Sequence, residues 1–214
     1  MNAIRVDAIC AGGIAALPGG KRSGISKAPL EGTVRICSRG IGCDVQADRT
    51  HHGFPAMALH HYPAEHYDWL RATFGALPRL EGPGSMGENI AASGLLEDDV
   101  RIGDRFRLGT AMIEISQPRQ PCATIEKHLE CAGIVKAIVR ASRCGWFYRV
   151  LEEGYVRAGD RLVREDSGHS EWTIKRTFDA VYGNSRDEDA MRQIANLDRV
   201  SDRLVHDISK RLSI

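Results

Sequence analysis

Glycine sets the terms for this chain. There are 22 glycines in 214 residues, and most fall before residue 160. Glycine takes positive φ at no steric cost and weakens helix interiors, so a glycine-dense stretch favours turns over helices. Short β-type segments lie between the glycines. "TVRIC" (33–37) alternates weakly. "AMIEIS" (111–116) alternates well, with Ala111, Ile113 and Ile115 on one face and Met112, Glu114 and Ser116 on the other. "WFYRVL" (146–151) is rich in strong β formers and reads as a buried strand. One heptapeptide pattern recurs: "VRIGDRF" from Val100 and "VRAGDRL" from Val156 both read as strand, Gly-Asp turn, strand. Their flanks do not match, so this is recurrent turn chemistry and not an array of repeats. Such turns, without regular β–α alternation, favour a closed or Greek-key barrel.

Two helical inserts are expected inside this region. "PAEHYDWLRATFG" (63–75) opens with proline at a first-turn position and closes on glycine, and "ATIEKHLECAG" (123–133) also ends on glycine. After about residue 168 glycines nearly vanish. "EWTIKRTFDAVYG" puts Ile174, Phe178, Val181 and Tyr182 on one stripe, with Gly183 as a C-cap. Ser185 and Glu188 make a capping box ahead of Met191 and Ile194. Val200, Leu204, Ile208 and Leu212 follow, spaced four apart. Three short amphipathic helices are marginal alone and should pack on each other or on the barrel. The expectation is a mainly β protein: a barrel with short helical inserts over residues 1–165, then a small α-helical domain over 170–214.

Apolar residues at 43% and charged residues at 27% suffice for a full core. The net charge of +1 offers neither a nucleic-acid footprint nor an acidic tail, so no nucleic-acid partner is expected. No apolar run approaches the roughly eighteen residues of a membrane span. Residues 8–17 are apolar but short and glycine-containing, a poor signal-peptide core. A cytoplasmic location is expected. The six cysteines, at 10, 37, 43, 122, 131 and 144, include no C-x-x-C pair and are too sparse for a disulfide scaffold, which suits a reducing compartment.

"ISQPRQPCATIEKHL" (115–129) sets Cys122 behind Pro118 and Pro121 at the end of an apolar strand. Two prolines in four residues stop the ladder and stiffen the loop that presents the thiol. Arg119 and the start of a helix both favour thiolate over thiol. A thiolate is a soft metal ligand and a nucleophile, whereas the ordinary role of a cysteine is packing. Five of eight histidines, His51, His52, His60, His61 and His66, fall in "HHGFPAMALHHYPAEH" without an H-E-x-x-H. Scattered neutral histidines are expected there, with one as a donor or acid, and adjacent histidines on one strand face opposite ways. The loop "CDVQADRTHHG" (43–53) packs Asp44, Gln46, Asp48, Arg49 and His52 together, a set suited to an anion, a polar ring or plain solvent. In "MGENI" (86–90), Gly87 allows close backbone approach, and Glu88 and Asn89 supply hydrogen-bonding groups. Serine-hydrolase elbows, phosphate loops and dinucleotide fingerprints are absent from the sequence.

Taken in order, "GCDVQADRTHHG", "HHYPAEHYDWL", "MGENI", "VRIGDRFRLGTAMIEISQPRQPC" and "RCGWFYRVLEEGYVRAGDRL" resemble the MOSC domain, named for the C-terminal domain of molybdenum-cofactor sulfurase. The combination is most similar to its stand-alone bacterial YiiM-like branch, in which three short helices follow. The resemblance covers roughly residues 25–165 and the helical tail. It implies a β-barrel like that of pyruvate kinase and a molybdenum cofactor (molybdopterin) bound near one cysteine, here Cys122, as metal ligand. By motif position it places Arg49, His52, Gly87, Glu88 and Asn89 at the site, with Asp48, Gln46, Gln117 and Arg119 beside them. It further implies reduction of N-hydroxylated compounds such as hydroxylaminopurines, a detoxifying activity fed by an external electron-donor reductase. His52 is then the candidate proton donor. Two alternatives are a non-catalytic carrier of cofactor, or of sulfur as a Cys122 persulfide, and a binding domain that has lost the cofactor. The chain is too short for the pyridoxal-phosphate domain of the full sulfurase, so no such cofactor is expected. The family usually reads H-G-G-P-D-[KR]-A, whereas this chain reads "HGFPAMA". Phe54, Ala56 and Met57 replace a glycine, an aspartate and a cation, and each lost charge-assisted hydrogen bond is worth about 1.5–3 kcal/mol. Cys43 also interrupts the family's usual G-D.

Overall fold

In a computed structural model, which describes residues 3–45, 53–183 and 187–213, short strands carry most of the architecture. In chain order they are Ile4–Ala11 (β1), Ala15–Ala16 (β2), Arg22–Ser23 (β3), Ala28–Pro29 (β4), Val34–Cys37 (β5), Gly40–Ile41 (β6), Leu59–Pro63 (β7), Ile90–Ala92 (β8), Arg105–Leu108 (β9), Ala111–Pro118 (β10), Trp146–Glu152 (β11), Gly154–Val156 (β12) and Arg161–Asp166 (β13). The helices are Glu65–Phe74 (α1), Ala123–Leu129 (α2), Ile134–Ala141 (α3), Ile174–Tyr182 (α4), Glu188–Ala195 (α5) and Asp202–Leu212 (α6).

Seven strands run β13-β9-β10-β11-β7-β8-β1, and β1 pairs back with β13 through Ile4↔Leu162 and Arg5↔Arg161. The sheet is therefore a closed barrel, as the glycine-rich pattern predicts, and closure removes its free edges. The pair β7–β8 is parallel, with His61 opposite Ile90. A parallel pair needs a crossover, and α1 lies in that connection. Inside pack Val6, Leu59, Ile90, Phe106, Ile113 and Ile115, with the rings of Trp146 and Tyr148. The ribbons β2–β3 and β12–β5–β6 form sheets apart from this ring.

The two Gly-Asp segments fold alike. In each, the arginine carbonyl accepts from the aspartate N–H three residues on (Asp104 to Arg101, 3.1 Å; Asp160 to Arg157, 3.2 Å). Each aspartate carboxylate accepts the arginine N–H in return, at 2.9 Å. Gly103 and Gly159 take φ of 84° and 90° in these turns. Only the second turn joins two strands. Residue 101 instead forms an isolated bridge to Thr173.

Four local expectations differ from what forms. Pro63 ends β7 instead of opening α1, whose N-cap is Ala64; a strand's terminal proline needs no ladder N–H. The insert expected at 123–133 holds one helix, and a second follows directly beyond it. α2 stops at Leu129 because Glu130 turns left-handed (φ 52°), and Gly133 (φ 87°) starts α3. The alternation of β10 is not matched by alternating exposure: all eight residues are buried, because Arg199 and Ser201 ahead of α6 and Ala56 ahead of β7 reach its Glu114 and Ser116. Asp187 caps α5 through the Ala190 N–H, while Ser185 lies outside the described residues.

The stripe on α4 is buried at Ile174, Phe178, Val181 and Tyr182, and Leu204 and Ile208 on α6 are buried too. These residues join the barrel's own hydrophobic cluster. Beneath them, Glu114 on β10 is 2% exposed and meets Arg105, Arg149 and Arg199.

Candidate functional site

β10 ends at Pro118, and the loop behind it is tied back to the strand after α3: the Arg119 N–H donates to the Gly145 carbonyl at 3.0 Å. Gly145 is forced by its surroundings. Its φ is 68°, and a Cβ there would sit 2.3 Å from the His61 carbonyl oxygen and 3.0 Å from His60 Nε2. Its own N–H donates to buried Glu97 at 2.8 Å, and both Glu97 oxygens lie 2.9 Å from His66 Nε2. Cys122 follows as the N-cap of α2, with its side chain exposed. Cys10 and Cys144 are buried instead, and burial pushes the Cys10 thiol up to about 12 and that of Cys144 well above its ordinary value.

Cys122 opens onto a cavity of about 420 Å³. Among the described residues, the walls carry Lys21, Arg22, Lys27, Arg119 and Arg203 against one carboxylate, Asp207. Lys27 is nearly buried and pairs at 2.6 Å with Asp44. Asp44 also accepts from the Gly12 N–H and from Asn89 Nδ2. The guanidinium of Arg119 makes no ion pair among the described residues, which leaves it facing the cavity with its charge unspent.

The floor is His60. Burial first, then the neighbouring charges of Arg119 and Lys27, hold its pKa well below the ordinary histidine value, so the ring is neutral. The Gly87 backbone holds the ring, and Nε2 meets no partner among the described residues. His61, next along β7, points the other way. It stacks on Trp146 at 4.3 Å, lies 3.2 Å from the Tyr148 hydroxyl, and burial lowers its pKa to about 3.

The structure gathers Gly87, Asn89, Gln117, Arg119 and Cys122 around this one cavity. Asn89 is fully engaged there: its Nδ2 donates to the Cys10 carbonyl and Asp44, and its Oδ1 accepts the His60 N–H. Gln117 accepts a hydrogen bond from Ser201, the N-cap of α6. Glu88 does not line the cavity. Its buried carboxylate turns back to accept from Tyr67 Oη (2.5 Å), Gly84 N–H (2.6 Å) and Met86 N–H (3.2 Å), so it shapes the loop that carries Gly87. Burial pushes its pKa up. Gln46, Asp48, Arg49 and His52 lie outside the described residues. Met57, where the family pattern has a cation, lines the cavity as an apolar side chain.

Of the further cavity residues, Lys27 and Arg203 escaped the sequence reading, His60 figured only within the histidine cluster and Tyr182 only in a helical stripe. They come from four segments that only the closed fold unites. The one sequence signal was the Arg203–Asp207 pair at helical i, i+4 spacing.

Comparison with known proteins agrees with this geometry. The MOSC domain description matches residues 48–163. Protein YiiM of Escherichia coli is 32% identical over 200 residues, covering 94% of this chain and 89% of that protein. A protein named "Reductase" from Gibberella moniliformis is 32% identical over 74% of this chain, which spans only 28% of that longer protein. The crystal structure of YiiM from Geobacillus stearothermophilus superposes with a TM-score of 0.82 at 28% identity, covering 98% of this chain and 99% of the other. With a barrel of this topology, the ordered motifs and these relatives in agreement, the chain belongs to the MOSC domain family.

Proposed function

We propose that this protein binds a molybdenum cofactor in the Cys122 cavity and reduces N-hydroxylated compounds, in the cytoplasm, with electrons from an external reductase. The observation that carries the reading is an exposed thiol at the mouth of a cationic cavity of about 420 Å³. That volume lies within the range of small-molecule and cofactor sites. The residues present fit a phosphorylated pterin. Arg119 supplies positive charge on the cavity wall beside neutral His60. Arg119 would stand in for the cation missing at Met57, because Lys27 is spent on Asp44. The relative named "Reductase" supports the redox assignment.

When bound, the cofactor supplies two-electron chemistry and an affinity for oxygen. The overall reaction takes R–NHOH, two electrons and two protons to R–NH₂ and water, with the N–O bond broken. The chain's part is to bind and orient. Cys122 would be the metal ligand, a soft sulfur donor on a loop pinned by the Arg119–Gly145 hydrogen bond. Glu88 and Asn89 fix the Gly87 loop against the cavity. His52 is the proposed proton donor, with Arg49, Asp48 and Gln46 beside it as further cofactor contacts. Because burial holds His60 neutral, it adds no charge near the ligand at working pH.

The test is turnover of an aromatic hydroxylamine by protein from a cofactor-competent host, with a reconstituted electron donor. Wild type should form the amine, and Cys122→Ala should lose at least about a hundredfold in rate. Wild type that carries cofactor yet forms no amine would establish a carrier in place of a reductase.

A further inference from the structure

The C-terminal helices do more than cover the barrel. Tyr182 from α4 and Arg203 and Asp207 from α6 form part of the cavity wall. Tyr182 donates its hydroxyl to Asp207 at 2.9 Å, and Asp207 in turn takes Arg203 Nε at 3.1 Å. Burial keeps the Tyr182 hydroxyl protonated, so it remains a donor. Ser201, two residues before Arg203, is bonded to Gln117 on the cavity floor. Arg203 is thus a held guanidinium. Its Nε is spent on Asp207, while its two terminal amino groups make no hydrogen bond among the described residues.

A guanidinium with two free, parallel amino groups is a fork for one oxyanion, bound through two hydrogen bonds. The guanidinium has a partner of its own: Asp207 on α6 holds Arg203, whereas Asp44 holds Lys27 at 2.6 Å. Were Arg119 to meet the single phosphate of the cofactor, the Arg203 fork would be left for a second anion.

We propose that Arg203, positioned by Asp207 and Tyr182, recognises an oxyanion on the substrate, so that the preferred substrates are phosphorylated N-hydroxylated nucleosides and not free bases. The substrate class rests on the reductase reading; the anion fork does not.

The experiment separates the two. Adenosine 5′-monophosphate and adenosine serve as non-reacting probes, titrated calorimetrically into purified full-length protein with molybdenum and pterin content measured on the same samples. Wild type should bind the monophosphate at least tenfold more tightly than the nucleoside. Arg203→Gln should erase that preference and leave molybdenum and pterin content unchanged. Asp207→Asn, which keeps the cation but loosens its hold, should weaken the preference in part. Equal affinity of the two probes for wild type would overturn the proposal. So would loss of pterin in Arg203→Gln, because the fork would then belong to the cofactor's phosphate. Absence of pterin from wild type with the monophosphate preference intact would refute the reductase reading and leave the fork standing.

Discussion

At the scale of single residues, the site depends on keeping imidazoles neutral and one glycine bare. His60 and His61 are both held below the ordinary histidine pKa of 6.5, His61 at about 3. The unfolded chain binds protons at these positions below pH 6.5, while the folded chain does not. Stability is therefore full above pH 6.5 and falls as pH drops from 6.5 towards 3, by about 1.4 kcal/mol per pH unit for each such histidine. The thermal midpoint should decline steadily between pH 6.5 and 4.5, and His61→Gln should flatten the slope. A midpoint independent of pH there would show that the imidazoles are not buried neutral. Gly145 is the second case. Gly145→Ala brings a Cβ within 2.3 Å of a backbone oxygen at positive φ and should cost about 2–3 kcal/mol in urea unfolding. Cys122→Ala, at an exposed position, should change stability by no more than about 0.5 kcal/mol.

At the scale of elements, the same turn occurs twice in different surroundings, and the difference is measurable. Asp104 is fully buried; it also accepts the Gly168 N–H at 2.7 Å, and its carbonyl accepts from Ile115. Asp160 is partly exposed. Asp104→Ala should cost about 2–3 kcal/mol, because it strands buried N–H donors, and Asp160→Ala less than about 1 kcal/mol. Equal costs in urea unfolding would mean that burial does not set the value of the turn. These repeats, the strands at 111–116 and 146–151 and the C-terminal stripes were legible because local chemistry dictates them. The break at Glu130 was not: a glycine after a helical run reads as a C-cap, yet a glutamate takes the left-handed position and Gly133 begins a further helix. Nor was the burial of Glu114, whose arginine partners lie 9, 35 and 85 residues away along the chain. Within the site, contiguous motifs brought Gln117, Arg119 and Cys122 to notice. Lys27 and Arg203 stayed hidden, and His60 was one of five clustered histidines, because their shared cavity exists only once the barrel closes.

At the scale of the whole molecule, α4 and α6 bury their stripes in the barrel's own cluster. Each large apolar side chain placed there contributes about 1.5–3 kcal/mol. We propose that residues 1–165 and 170–214, though distinct in composition, unfold together. A single calorimetric transition is expected, with equal van't Hoff and calorimetric enthalpies; two resolved transitions would show that the helices fold apart from the barrel. Such coupling makes the cavity a joint product of both segments, with a thiol on one wall and a held guanidinium on another. The claim at the centre of this account is that the Cys122 sulfur ligates molybdenum. The most direct measurement is metal and pterin content of wild type and Cys122→Ala, purified side by side from a host that makes the cofactor. The account predicts close to one molybdenum and one pterin per wild-type chain, with the metal lost from the variant. Equal molybdenum in the two proteins would contradict it.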